Sequence, residues 1–165
     1  MPDPALRPRL RRTAAAVAAV LLAPTLAGCG LFGDDEEGEG VSVFDVEPGQ
    51  CFLAQSEVKA QISELTAVDC EQEHAQEAYA VVAYQGGDGA TPDTYPGDDA
   101  LTKFAEGACA GAYRDYVGVD YLDSRLFYTY LLPSARSWED DDRSVVCFVT
   151  TPGAPMQGSV KGSKK

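Results

Sequence analysis

The stretch DDALTKFAEGACAGAYRDYVG, residues 98–118, decides the fold. Leu101, Phe104, Ala105, Ala108, Cys109, Ala112, Tyr113 and Tyr116 recur at three- and four-residue spacing, so they line one face of a helix with a 3.6-residue period. Asp98 is placed to cap its start and Gly118 to end it. Gly107 and Gly111 fall off the apolar stripe and weaken the helix by up to about 1 kcal/mol each relative to alanine. Propensity alone therefore does not hold this helix. Packing against another layer must, and Cys109 on the apolar face offers a covalent form of it.

Working outward, Val41–Val46, Leu65–Cys70 and Ala78–Tyr84 read as strands before the helix, and Leu126–Leu132 and Ser144–Thr150 as strands after it. The segment from Gln85 to Asp98 is a loop, marked by Gly86-Gly87, Asp88-Gly89, Pro92 and Pro96-Gly97, and Pro133 to Asp142 is a turn. Strands, helix, strands in that order give an α+β fold, a small antiparallel sheet with one principal helix packed on a face. The domain is placed at residues 41–150, enough chain for one small core. Residues 151–165 carry no hydrophobic period and are expected to form a disordered basic tail.

The chain has five cysteines and one histidine. Cys51, Cys70, Cys109 and Cys147 lie inside the domain, and disulfides are the default for a small exported one. Three pairings are possible. Cys51 with Cys70 joins neighbouring strands, and Cys109 with Cys147 ties the helix to the last strand, so this pairing is expected. Metal binding is the alternative, because Cys70 and His74 are four apart; but with a single histidine and no second cysteine pair at ligand spacing, no metal or cofactor is expected.

Cys29 is left over. Arg7, Arg9, Arg11 and Arg12 precede an uncharged apolar run from Thr13 to Leu22, the layout of a signal peptide over residues 1–28. The apolar run is too short to span a bilayer comfortably, and Pro24 interrupts it. Leu26-Ala27-Gly28-Cys29 resembles the lipobox of bacterial lipoproteins, which implies a lipid thioether at Cys29 and cleavage just before it. Two acyl chains on one residue anchor durably, where a single chain is marginal. Residues 29–40, glycine-rich and acidic, read as a disordered linker. Removing the leader's four arginines and one aspartate from 13 basic and 26 acidic residues leaves 9 and 25, a net charge of −16. Nucleic acid is excluded as a partner on charge.

Gly49-Gln50-Cys51-Phe52, Val68-Asp69-Cys70 with His74 and Glu77, Tyr95-Pro96-Gly97, Cys109 with Tyr113 and Tyr116-Val117-Gly118, Pro133-Ser134-Ala135-Arg136-Ser137-Trp138, and Asp142-Arg143 with Cys147 together resemble the septum formation family of exported domains. Two positions depart from that pattern: Glu73 stands where a proline usually precedes the histidine, and Asp141 where a glycine usually precedes Asp-Arg. The resemblance implies a cell-envelope protein connected with division septa and carries with it no established catalytic activity. From the residues themselves, the expectation is a non-catalytic binding module on the outer face of the cell membrane, tethered through lipid at Cys29. Tyr95, Tyr121, Tyr128 and Trp138 are the candidate surface for a protein or cell-wall partner. Trp138 is also placed to stack with Arg136 or Arg143. The acidic run Glu139–Asp142 lacks the glycine and distant glutamate of a calcium loop and reads as a solvated turn. The rival function is a wall-acting hydrolase with His74 and Glu77 as an acid–base pair and Ser124, Ser134 or Ser137 as nucleophile.

Overall fold

Every residue from Val145 to Val149 is buried, which only a strand covered on both faces requires. The computed structural model describes residues 38–55 and 62–165. The leader, Cys29 and most of the acidic linker lie outside them. In chain order the strands are β1 (Glu39–Ser42), β2 (Cys51–Phe52), β3 (Glu64–Val68), β4 (Glu73–His74), β5 (Gln76–Ala83), β6 (Phe127–Leu131), β7 (Ser144–Thr150) and β8 (Met156–Gln157). The helices are α1 (Asp98–Val117) and the short α2 (Ala135–Glu139). Six strands form one antiparallel sheet in the order β1-β3-β2-β5-β7-β6, and β4 pairs with β8 in a separate ribbon.

Helix α1 covers one face of the sheet. Its Ala105, Cys109, Tyr113, Tyr116 and Val117 pack with Val145, Cys147 and Val149 of β7 and with Tyr79 of β5. The expected stripe is the buried stripe, and Gly118 ends the helix in the left-handed region with its N–H donating to Arg114 O. The start differs from expectation. Gly97, at φ 92°, is the N-cap, and Asp98 lies in the first helical turn, where it favours the positive end of the helix dipole. The opposite face carries Phe52, Leu65, Ala78, Val146 and Phe148, with Phe52 edge-on to Phe148 at 6.0 Å. A bulge at Tyr79 shifts the β5–β7 register, so Ala78 packs on this second face while Tyr79 and Ala80 both turn to the helix side.

Both expected disulfides are present, Cys51–Cys70 and Cys109–Cys147. Val43–Asp45, expected as strand, is a 3-10 turn in which the Phe44 N–H donates to Ser42 Oγ. The turn from Pro133 to Asp142 holds α2, closed by a reciprocal Ser134–Ser137 capping box. The largest departure is residues 151–165, expected to be disordered. Met156 and Val160 are buried, β8 pairs with β4, and Gly162 and Lys164 donate backbone bonds to the last turn of α1. Two apolar residues in a polar segment give no period to read. The segment is held by partners far away in sequence.

Candidate functional site

Cys51 and Glu77 stand directly opposite one another on β2 and β5, so their side chains share a face. His74 comes to the same place from β4. Ligand atoms of Cys51, His74 and Glu77 all lie within 4.8 Å of one another. The structure therefore brings the proposed acid–base pair together, and it also closes the pair off: Glu77 is 0% and His74 1% exposed.

Both carboxylate oxygens of Glu77 accept hydrogen bonds. Tyr116 and Ser159 hydroxyls donate to Oε1 at 2.5 and 2.6 Å, and the Val160 N–H donates to Oε2 at 2.8 Å. Two of these donors come from residues 151–165, which is why that segment orders. Burying a carboxylate without such donors costs far more than the ordering of a short strap. His74 Nδ1 pairs with Gln72 O at 2.9 Å, while its Nε2 is buried without a hydrogen-bond partner. Burial and the bond to Glu77 push the Tyr116 hydroxyl well above its ordinary pKa, so it stays a donor.

The four aromatics expected to form one binding surface fall into two groups. Trp138 is 2% exposed. It packs edge-on to Tyr84 and Tyr95, its Nε1–H donates to Asp93 O, and the Arg143 guanidinium stacks 4.0 Å from its ring centre. The expected cation–aromatic pair is thus made with Arg143, and it is internal. Tyr95 is half-buried and donates to Asp98; loss of solvent, then that bond, push its pKa up to about 12. Tyr121 and Tyr128 meet edge to face at 4.6 Å and lean on Tyr113, whose hydroxyl pairs with Ser124. Aromatic side chains expected on display are instead spent on the core, because a small domain needs their area. Among the described residues, the large apolar side chains that face solvent are Phe44 (62%), Val81 (39%), Leu122 (87%) and Phe127 (48%).

Of the serines considered as nucleophiles, Ser134 and Ser137 cap α2, with Ser137 Oγ also donating to Asp142 Oδ2 at 2.9 Å. Ser124 Oγ donates to Lys165 O. No histidine stands beside any of the three. Ser134 and Ser137 do line an open cavity of about 500 Å³ on the sheet face away from α1. Val43, Phe44, Ile62, Leu131 and Val146 make its apolar wall, and Arg136, Asp140 and Asp142 its charged rim. Asp142 is spent on Ser137 and the Ser144 N–H, which leaves Arg136 and Asp140 as its uncommitted charges. Sequence reading missed this cavity. No local signal marks it, since Val41–Val46 reads as a strand and the exposure of Phe44 appears only in the fold.

Among the described residues no helix is long and apolar enough to cross a membrane. A family model described as septum formation matches residues 48–164, well over half the chain and past Thr150, where the sequence had placed the end of the domain. No curated protein and no solved structure matches.

Proposed function

The chain belongs to the septum formation family, and on that premise we propose that it is a lipid-anchored cell-envelope protein whose domain is a non-catalytic binding module for a protein or cell-wall partner. The observation that carries this reading is the fate of His74 and Glu77. A general acid or base must reach its substrate within hydrogen-bond distance. Both groups are sealed, and Glu77 spends its oxygens on Tyr116, Ser159 and Val160. The open cavity, by contrast, joins an apolar wall to a few charged groups, the usual make-up of a binding site.

Location rests on cysteine chemistry. The two bridges consume all four domain cysteines, in keeping with an oxidising compartment. Cys29 then remains as the residue for lipid, holding the domain to the outer face of the membrane.

The test is photocrosslinking in living cells with the full chain, Phe44→Asp and His74→Ala, each checked for folding. Phe44→Asp is expected to lose its crosslinks and its phenotype, and His74→Ala to keep both. A folded His74→Ala that captures the same partners but loses function would overturn the module in favour of the hydrolase. In parallel, Cys29→Ser is expected to abolish labelling by a fatty-acid analogue; persistent labelling would overturn the anchor.

A further inference from the structure

The geometry points to a second state of the Cys51–Cys70 bridge: once reduced, its two sulfurs, His74 Nε2 and Glu77 form a four-ligand site for a zinc-class divalent cation. Three observations converge. Cys51, His74 and Glu77 present ligand atoms within 4.8 Å of one another, from three different strands. His74 Nε2 is a buried nitrogen with no partner, while Nδ1 is held by Gln72 O. That is the arrangement in which a backbone carbonyl fixes the ring and leaves the other nitrogen for a metal. Glu77 Oε2 accepts a single hydrogen bond, so a lone pair remains free.

In the bridged state neither sulfur is a thiolate, and the cluster is one ligand pair short. Reduction supplies it. Cys70 is half-buried and Cys51 is 1% exposed, so an incoming thiolate reaches Cys70 Sγ and Cys51 leaves as thiolate beside His74. A dithiol reductant then completes the exchange. One dithiol, the disulfide and M²⁺ give the reductant's disulfide, the M²⁺ dithiolate and two protons. Two sulfurs, one imidazole nitrogen and one carboxylate oxygen at tetrahedral geometry suit zinc or cobalt(II) over magnesium or calcium. With bonds of ~2.0 to 2.3 Å the ligand atoms sit roughly 3.3 to 3.8 Å apart, so the cluster tightens by about an ångström. The metal takes over the cross-link between the β2–β3 hairpin and the turn after β3.

The test uses the full chain in a Cys29→Ser background, so that no outside thiol competes, with cobalt(II) as probe and a phosphine as reductant. Reduced protein is expected to bind one equivalent with a thiolate-to-cobalt charge-transfer band, displaced by zinc, and oxidised protein to show none. Replacing Cys109 and Cys147 by alanine should keep the band. His74→Ala should weaken binding more than about tenfold, since even outer-shell changes cost that much; Glu77→Gln should shift the visible band. The inference is overturned if the reduced chain binds no metal, if oxidised protein binds equally, if His74→Ala binds as wild type, or if the reduced chain unfolds and metal does not restore its circular dichroism.

Discussion

Glu77 is the residue on which the domain's interior turns. It holds three elements at once: β5 on which it sits, α1 through Tyr116, and the C-terminal segment through Ser159 and Val160. Hydrogen bonds to a charged group contribute about 1.5 to 3 kcal/mol each, so Tyr116→Phe should lower unfolding free energy by about that amount. Glu77→Ala, which orphans three donors, should cost about 3 kcal/mol or more; denaturant titration reads both, and a loss below ~1 kcal/mol for Glu77→Ala would show the cluster to be incidental. Asp141 gives a prediction of opposite sign. It holds φ 64°, where an L residue is strained, and it occupies the position where the family resemblance places glycine. Its ion pair with Arg143 is long, 3.7 Å, with Asp141 fully exposed, and contributes little. Asp141→Gly should therefore raise stability by about 0.5 to 1 kcal/mol, and a fall in the melting midpoint would refute the strain.

At the scale of elements, α1 was readable down to its stripe because burial on one sheet face imposes the helical period directly. Its glycines were readable too: a Cβ at Gly107 or Gly111 meets open space. Gly107→Ala is thus expected to stabilise by about 0.8 to 1 kcal/mol, measured as a higher denaturant midpoint. The two-residue strands β2, β4 and β8 were not readable, since no alternation fits in two residues and their pairing is set by neighbours. The bridges act between elements. Opening Cys109–Cys147 as a double alanine variant should cost ~3 to 4 kcal/mol in the chain-entropy account for a 38-residue separation.

At the scale of the molecule, a layer of tyrosines fills the space between α1 and the sheet. Burial raises the pKa of Tyr79, Tyr113, Tyr116 and Tyr128 above 10.0, because the charged form is excluded. A folded-state pKa raised above the unfolded value means the stability from these groups is fully present below 10.0 and is lost as pH rises through the folded values. Unfolding free energy is expected to hold level on the near side of 10.0 and to fall steadily beyond it, with tyrosinate absorbance appearing together with loss of ellipticity. Titration of all eight tyrosines at the ordinary value, with the fold intact, would contradict the buried layer.

Local repetition makes part of this protein legible without its fold: the helix and its face, β7 and the α+β order, together with four domain cysteines whose bridges were one expectation among three pairings. Each is written in a period or a count. Features made of partners distant in sequence came to light only in the fold. The C-terminal segment looks unstructured until Glu77, more than 80 residues earlier, is seen to require its donors. Trp138 looks like a surface anchor until Tyr84 and Asp93, each at least 45 residues earlier, close around it. The reason is the same in both cases. A buried charge or a large ring must be satisfied by whatever the fold brings to it, and no local pattern records which residues those are.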